Sequence, residues 1–308
     1  MNFVTPNKEE INPFLQLLLL LFYAILSAII FILLASEIIG ALYGSDIAGE
    51  VVSGKITDAN ISAFKIFQAL GTSIGLMAVP AIALALTEGK KINRFYGFGK
   101  PRILLLFLAL LIMIVSMPFM EWVNLWNQKM VLPDFLKGIE RWMKEKEDAT
   151  MDATIKLITV RSNLDFVANL IVIAVLPAIG EELMFRGGVQ RSLNRAFNNP
   201  HLAIWISAII FSAIHLQFYG FVPRMLLGAG FGYLYYYSGS IWYAMLAHFI
   251  NNAYAVCAAF YMQKHHLPLY KADEPIGFPW YGYLISAIIT IALFKFFKDN
   301  ATRERKLG

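Results

Sequence analysis

The sequence predicts an all-α, polytopic membrane protein with about eight transmembrane helices. The first observation is composition: 58% of the 308 residues are hydrophobic and 15% are charged, whereas soluble domains carry about 25% charged residues. The second is the length of the apolar stretches, because a helix needs about 20 residues to cross a bilayer core. The third is the placement of charge: the chain has a net charge of +5, and its basic residues cluster between apolar stretches, as on the cytoplasmic face of membrane proteins.

Eight stretches have the length and apolar character of membrane-spanning helices. The first and second are long enough to tilt in the bilayer. The fifth and sixth are short, and a turn containing Gly220 and Pro223 separates them. The eight stretches are residues 14–36, 61–86, 103–120, 164–184, 202–218, 222–237, 241–262 and 281–297.

The charges of the connecting segments predict the orientation of the chain. Residues 87–102, residues 186–201 and the C-terminal tail are each rich in Lys and Arg, and eight spans place all three on one side of the membrane. The segment 37–60, on the other side, is acidic. Because Lys and Arg near the ends of spans favour retention in the cytoplasm, we expect an integral protein of the inner (cell) membrane with both termini cytoplasmic.

The largest connecting segment, residues 121–163, has mixed charges and an apolar pattern with helical spacing. A helix start is expected at Pro133, and Phe135, Ile139 and Trp142 recur on one face. Two interpretations are open here. One is an amphipathic helix on the outer membrane surface, and the other is a solvated linker helix without a functional role.

Polar and ionisable residues inside the apolar stretches are concentrated in the second half of the chain. A charge at membrane depth is costly, so it indicates either a function or a bonding partner. The residues are Glu181, Glu182 and Arg186 at the end of the fourth stretch, Phe211 and His215 in the fifth, and His248 and Asn252 in the seventh.

Helix geometry assigns a different role to each of the two adjacent acids. Residues four apart share a helix face, so Glu182 is expected to pair with Arg186. Glu181 points elsewhere and has no partner in its own helix. An unpaired, partly desolvated carboxylate is suited to act as a general base.

The histidines and Asn252 complete a set of groups for hydrolysis. His248 and Asn252 are four apart, so one helix face presents both. With Glu181 and His215 they comprise a base, a second acid or base and two oxyanion donors, which attack of water on a peptide carbonyl requires. Each residue also has a structural explanation, since buried Glu–Arg pairs and single intramembrane histidines often serve helix packing alone. Their occurrence together on neighbouring apolar stretches favours catalysis.

Three ordered motifs resemble those of the CPBP intramembrane proteases. That family includes the CAAX prenyl proteases of the Rce type, the bacteriocin-processing and self-immunity proteins, and the lysostaphin resistance protein A group. The likeness covers residues 164–256. The three motifs are Glu181-Glu182-x-x-x-Arg186, Phe211-x-x-x-His215 and His248-x-x-x-Asn252.

The resemblance implies an eight-helix intramembrane endopeptidase whose site opens toward the cytoplasm. It assigns Glu181 as the base, His215 as a group that helps to activate water, and His248 and Asn252 as oxyanion donors. It places Glu182, Arg186 and Phe211 in supporting positions.

The sequence leaves open whether the site binds a metal ion. Glu181, His215 and His248 could bind zinc as two histidines and one glutamate, with a position left for water. A water activated by glutamate without metal is the alternative that we favour. Asn252 is a poor zinc ligand, and no acid lies at a sequence spacing that would orient both histidines.

The resemblance also suggests a division of the chain into three regions. Residues 1–163 are expected to form an N-terminal three-helix membrane region with the amphipathic outer loop. Residues 164–262 are expected to form the catalytic helical core. Residues 263–308 are expected to form the last transmembrane helix and a basic tail.

Two other functions are considered beside the protease. One is a non-catalytic membrane immunity or scaffold protein, and the other is a proton-coupled transporter that uses Glu181 and the histidines as a relay. The complete set of motif residues favours the protease, and the lack of visible repeats disfavours the transporter. The expected partners are membrane lipid and a protein or peptide substrate, either lipidated or membrane-associated. No nucleic acid is expected.

Overall fold

The computed structural model describes residues 10–269 and 276–303, without the side chain of Arg303. The described residues form helices and no strand, so the prediction of an all-α fold is confirmed. The helices are α1 (Pro13–Tyr43), α2 (Ser45–Val52), α3 (Ile61–Thr87), α4 (Ile92–Phe95), α5 (Ile103–Gln128), α6 (Lys137–Ile158), α7 (Asn163–Phe197), α8 (Pro200–Ala213), α9 (Phe221–Ser238), α10 (Ile241–Lys264) and α11 (Trp280–Arg303).

Each of the eight predicted stretches coincides with a helix, and five of these helices are long and apolar enough to cross a membrane. The five are α1, α3, α5, α7 and α11, which confirms a polytopic membrane fold. Helix α8 is apolar but has 14 residues. Helix α9 contains three glycines and four tyrosines, and α10 contains a histidine and two adjacent asparagines, so both are less apolar than the five.

The outer surface of the bundle is apolar, as contact with lipid requires. Only 17% of the most apolar window of α1 is buried within the protein. Leu18 and Leu33 of this helix are exposed by 63% and 61%. Apolar surface of this extent indicates a membrane or partner interface rather than contact with water.

Helix α7 extends beyond its predicted end at residue 184 and continues to Phe197. The expected 186–201 loop is therefore wrong, and its three arginines lie inside a helix. Arg186 and Arg191 are buried. Arg186 forms an ion pair with Glu182 and Arg191 forms one with Glu10, so paired acids offset the cost of burying these charges.

Helix α8 ends at Ala213, earlier than predicted, and His215 lies in the turn that follows. The backbone of Leu216 is left-handed, with φ at 54°, which stops the helix. Asn127 of α5 supports the return of the chain toward α9: its Nδ2 donates to the carbonyl of Phe218 at 3.0 Å, and its Oδ1 accepts from the amide of Val222 at 2.7 Å.

Helices α3 and α7 contain wide, π-helical turns where they pack against each other. In α3 these turns span Gln68–Ala78, and in α7 they span Leu170–Val175 and Leu183–Gln190. The short α-helical part between the last two carries both acids of the first motif. A Cβ at Gly180 would collide with the backbone of Ser73, at a distance of 2.5 Å from its carbonyl oxygen, so α3 and α7 approach closely there. Wide turns of this kind occur often at functional sites.

Side-chain contacts show which segments share an end of the bundle. Glu10 contacts Arg191 at 2.6 Å, and Gln16 donates to Glu88 at 2.5 Å. Arg102 donates to the carbonyl of Asn300 at 3.0 Å. We call the end formed by residues 10, 87–102, 191–195 and 300 the basic end. The predicted grouping of basic segments is confirmed within the described residues; Arg305 and Lys306 of the predicted tail lie outside them.

The remaining connections meet at the other end, which we call the loop end. Lys65 contacts Asp165 at 2.6 Å, and Arg161 contacts Asp58 at 2.8 Å. The loop end therefore includes residues 44–60, α6 and residues 214–220. The helix predicted within residues 121–163 is confirmed as α6, which has no buried residue. Glu147 of α6 accepts a hydrogen bond from the backbone of Tyr219 at 3.0 Å.

Candidate active site

A cavity of about 580 Å³ lies among α3, α7, α9 and α10. All four residues predicted to be catalytic line it, although they come from three separate parts of the chain. The fold thus gathers the three motifs around one space inside the membrane-spanning helices. The polar and charged lining consists of Gln68, Thr72, Ser73, Asn124, Thr154, Glu181, His215, Arg224, His248, Asn251 and Asn252.

Glu182 holds two groups with one carboxylate oxygen. Its Oε1 lies 2.9 Å from Nη1 of Arg186, so the predicted ion pair is confirmed. The same Oε1 lies 2.8 Å from Nδ1 of His248. The side chains of Glu182 and Arg186 are 0% and 1% exposed, so these two residues belong to the protein interior rather than to the cavity wall.

Glu181 faces the cavity, as its position in the helix predicted. Its side chain is 15% exposed, and its Oε2 lies 3.8 Å from Nε2 of His248. A gap of this length between two polar atoms is longer than a direct hydrogen bond. Glu181 and His248 can therefore both reach one small polar group placed beside them.

His248 is fixed by contacts on its face and at Nδ1. Its ring stacks on Phe231 with centroids 5.3 Å apart and meets the ring of Phe211 edge-on at 6.1 Å. Because a carboxylate accepts hydrogen bonds, Nδ1 donates its proton to Glu182. The Nε2 atom is then the part of His248 that is available to the cavity and to Glu181.

His215 is oriented by the last turn of α8, the helix that precedes it. Its Nδ1 lies 2.8 Å from the carbonyl oxygen of Phe211, and a carbonyl only accepts. The neutral ring therefore carries its proton on Nδ1 and leaves Nε2 as an acceptor. Phe211 also packs edge-on against the His215 ring, with centroids 5.2 Å apart, so Phe211 supports both histidines of the site.

Asn252 lies one turn beyond His248 and lines the same cavity. Its Nδ2 donates to the carbonyl of Ile173 at 2.9 Å, in a wide-turn segment of α7. Its Oδ1 accepts from Nδ2 of Asn251 at 3.1 Å. The amide is thus held in one orientation, and one of its two Nδ2 protons remains for another acceptor.

The small residue at Gly228 allows Arg186 to be buried. Arg186 donates from Nη2 to the carbonyl of Gly228 at 2.9 Å. A Cβ at Gly228 would lie 3.1 Å from the Phe211 ring and 3.3 Å from Nη2 of Arg186. This glycine therefore provides the space in which the guanidinium lies, 4.8 Å from the centre of the Phe211 ring.

Comparisons with known proteins find similarity in the part of the chain that carries the three motifs. Residues 163–254 match the family described as type II CAAX prenyl endopeptidase Rce1-like. Residues 163–254 form an Rce1-like segment. A curated relative, the uncharacterized protein YpbD of Bacillus subtilis (strain 168), is 26% identical over 114 residues, which are 36% of this chain and 54% of YpbD. The chain thus spans about half the length of this relative, and no solved structure matches.

The Rce1-like segment includes a cationic residue that the sequence motifs did not identify. Arg224 of α9 lines the cavity and hydrogen bonds to Gln217. Its Nη1 is buried without a hydrogen-bond partner in the described part of the protein. Its place inside the predicted stretch 222–237 was a usable signal, because an ionisable residue within a span is itself a sign of function.

The donor atoms of the Rce1-like segment do not form a zinc site as they lie. Within the described residues, no three His, Cys, Asp or Glu side chains are grouped so that they could hold one ion. Each histidine binds through Nδ1, His248 to Glu182 and His215 to a carbonyl, which leaves Nε2 free in both rings, as in histidines that hold zinc. Glu182 is moreover an acid that orients His248, which sequence spacing did not indicate.

The cavity of the Rce1-like segment extends to the loop end of the bundle. Its lining includes Asn124 near the end of α5, Thr154 of α6 and Gly220 of the turn before α9. The segments of the basic end contribute no lining residue among those that the structure describes. The mouth therefore lies at the opposite end of the bundle from Arg191. The sequence predicted both cytoplasmic termini and a cytoplasmic opening, and these two predictions cannot both hold.

Proposed function

We propose that the protein is an intramembrane endopeptidase of the CAAX protease type, in which Glu181 activates a water molecule for attack on a peptide bond. One observation carries the proposal: the Glu181 carboxylate and Nε2 of His248 face each other at 3.8 Å in a polar cavity among membrane-spanning helices. The Rce1-like match of residues 163–254 supports the reaction class.

In the first step, Glu181 takes a proton from water as the water oxygen bonds to the peptide carbonyl carbon. A carboxylate placed in a largely enclosed site suits this work, and such general-base catalysis contributes about 10²–10⁴-fold to a rate. His215 presents Nε2 as an acceptor toward the same cavity. It would orient the second water proton so that a lone pair points at the carbonyl.

Hydrogen-bond donors are needed to stabilise the negative charge that develops on the carbonyl oxygen. Asn252 offers the Nδ2 proton that Ile173 does not use. His248 can donate from Nε2 only as imidazolium, because its Nδ1 proton is committed to Glu182.

In the last step, the tetrahedral intermediate collapses and the carbon–nitrogen bond breaks. The proton held by Glu181 passes to the leaving amine, and the new carboxylic acid carries the oxygen from water. Glu181 is then again a carboxylate, so the cycle closes with no cofactor consumed. Glu181 carries the transferred proton, and His215, His248 and Asn252 form hydrogen bonds to the water and the oxyanion.

The substrate in this proposal is a protein or peptide that reaches the cavity within the membrane, for which a lipidated or membrane-associated chain is suited. The enzyme itself is proposed to reside in the inner (cell) membrane with cytoplasmic termini. Residues 164–262 would then form the catalytic core, flanked by the helices of residues 1–163 and 263–308.

A comparison of membrane proteomes tests the proposal. Cells carrying wild-type protein and cells carrying Glu181→Gln are analysed for new protein N-termini. We expect at least one internal N-terminus that depends on Glu181, together with accumulation of its uncut precursor. Glu145→Gln, which makes the same change at an exposed acid of α6 outside the cavity, is the matched control and should leave the cut intact. Identical N-termini in wild-type and Glu181→Gln cells would favour the immunity, scaffold or transporter alternatives instead.

A further inference from the structure

Arg224 is the one Lys or Arg side chain that lines the cavity among the residues that the structure describes. It lies in the first turn of α9, which directly follows the turn of residues 214–220. A charged side chain at membrane depth indicates a function or a bonding partner. The guanidinium of Arg224 is therefore expected to serve an anionic group.

The contacts within the protein leave Arg224 without a paired anion. Its Nη2 donates to Oε1 of Gln217, a neutral amide, and its buried Nη1 has no hydrogen-bond partner in the described part of the protein. Glu181 and Glu147 are near enough for their charges to act on Arg224, but neither forms an ion pair with it. Glu147 is bonded instead to the backbone of Tyr219. Because a guanidinium has five donors that match a carboxylate in a bidentate pair, Arg224 retains donors for an anion.

The guanidinium lies close to the turn before α9. A Cβ at Gly220 would lie 3.3 Å from Nη2 and 3.7 Å from Nη1 of Arg224. Gly220 itself lines the cavity near the loop end, whereas Glu181 is near the middle of α7. A peptide that places a carbonyl carbon beside Glu181 can therefore extend past Arg224 toward the loop end.

The backbone at the start of α9 has no free amide for an anion in its first four residues. The amides of Phe221, Val222 and Arg224 donate within the protein at 3.1, 2.7 and 3.2 Å, and Pro223 has no amide proton. The partial positive charge of a helix N-terminus favours a nearby anion. Direct hydrogen bonds to that anion have to come from the Arg224 side chain.

We propose that Arg224 binds a carboxylate of the substrate and thereby selects peptides that carry a carboxylate at a fixed distance from the cut. This assignment rests on the proposed function. The carboxylate is either the C-terminal α-carboxylate or an Asp or Glu side chain, which share the chemistry that a guanidinium recognises. Because the contact lies outside the bond that breaks, it stabilises bound substrate and transition state alike and acts on KM rather than kcat.

Two libraries of short randomised peptides test the assignment. All peptides carry an N-terminal acyl chain that anchors them in lipid discs; one library has a free C-terminus and the other a C-terminal amide. Peptides bound by Glu181→Gln protein are sequenced, which reports the carboxylate contact without cleavage, and cleavage of the bound peptides by protein with Glu181 intact is then measured. Arg224→Gln, Arg224→Lys and Gln217→Ala are compared in both backgrounds. Arg141→Gln, which alters an exposed arginine of α6 outside the cavity, is the matched control.

We expect the bound peptides to share a carboxylate at one position. Weaker binding of the amide library identifies the C-terminal carboxylate, and equal binding of both libraries with one enriched acid identifies a side chain. Arg224→Gln should weaken this binding about tenfold or more, abolish the preference and raise KM with little change in kcat. Arg224→Lys keeps the charge but not the paired donors, so it should weaken binding of the carboxylate peptides alone. Gln217→Ala and Arg141→Gln should retain the preference.

A carboxylate preference that survives Arg224→Gln, or that is unchanged in Arg224→Lys, would overturn the assignment, as would the lack of any preference in both libraries. Equal losses in Arg224→Gln and Gln217→Ala would show that Arg224 only supports the turn before α9. A fall in kcat that is the same for peptides with and without the carboxylate would show that Arg224 only balances the charge of Glu181. Carboxylate binding that depends on Arg224, together with no cleavage that depends on Glu181, would support the carboxylate site and overturn the proposed function.

Discussion

The Nδ1 atom of His248 lies 2.8 Å from Oε1 of Glu182, the same oxygen that Arg186 contacts at 2.9 Å. One carboxylate thus links the first motif to the third across two helices. The arginine neutralises the acid, and the acid fixes which ring nitrogen of His248 faces the cavity. The two acids of the motif therefore have separate roles: Glu182 positions His248, and Glu181 faces the substrate space.

Replacing Glu182 tests this division. Glu182→Gln removes the charge partner of Arg186 at a fully buried position, and breaking a buried pair in this way costs about 3–5 kcal/mol. We expect a marked loss of thermal stability together with a loss of cleavage. Both are measured on purified protein in the same detergent or lipid disc.

Glu181→Gln is the matched comparison, since it makes the same chemical change one residue earlier. Glu181 lines the cavity, and no arginine of the described residues lies at ion-pair distance from it. We expect this variant to lose cleavage while its melting temperature stays near that of the wild type. A stability loss in Glu181→Gln as large as that in Glu182→Gln would refute the separate roles.

Asn252 is predicted to act on the reaction rather than on the fold. Removing an oxyanion donor lowers kcat by about 10²–10³-fold in enzymes where this has been measured. We expect Asn252→Ala to lower kcat by a comparable factor with a small change in KM. Asn251→Ala removes a hydrogen bond to the Asn252 side chain but keeps the bond of Asn252 to Ile173, and it should have a weaker effect. Equal losses in the two variants would contradict a direct role for Asn252.

The apolar stretches were sufficient to predict that the helices exist, and the spacing of charged residues was sufficient to predict the ion pair within one helix. Length and hydropathy identify a membrane-spanning helix because the bilayer imposes both. The spacing of Glu182 and Arg186 predicted their contact because residues four apart meet within one helix. The same rule placed His248 and Asn252 together on the wall of the cavity.

Contacts between different helices could not be predicted from hydropathy or from spacing within one helix. The bond from Glu182 to His248 joins residues 66 apart in sequence, and its existence depends on how α7 and α10 pack. The extension of α7 beyond residue 184 was missed because three arginines read as a loop, although Glu182 and Glu10 neutralise two of them. The early end of α8 depends on the left-handed Leu216 and on Asn127 of α5, neither of which alters hydropathy.

The attachment of the N-terminus predicts a dependence of stability on pH. Burial of Glu10 opposes its ionisation, but the hydrogen bond and charge of Arg191 and the charge of Arg195 outweigh that effect and lower its pKa below the ordinary value of 4.5. A lowered pKa means that the contribution of Glu10 to folding is present above about pH 4.5 and is lost as the pH falls through the folded-state pKa. We expect the melting-temperature difference between wild type and Glu10→Gln to be constant above that pH and to narrow below it. A difference that widens on acidification would contradict this assignment.

Metal removal tests whether the carboxylate acts without zinc. Chelator-washed, metal-analysed protein should retain cleavage, because in the proposed mechanism Glu181 carries the transferred proton and His215, His248 and Asn252 supply hydrogen bonds. Zinc at one equivalent per chain, whose removal abolishes cleavage and whose return restores it, would show that Glu181, His215 and His248 act as ligands. That outcome would change the role of Glu181 while keeping the peptidase reaction.

Reconstituted cleavage tests the central claim most directly. Membranes from cells that lack the protein, and therefore hold its uncut precursor, are fused with liposomes containing purified wild-type, Glu181→Gln or Glu145→Gln protein. The new N-terminus is then quantified over time. We predict that wild type and Glu145→Gln generate it and that Glu181→Gln does not; generation of the same N-terminus by Glu181→Gln at the wild-type rate would contradict the account.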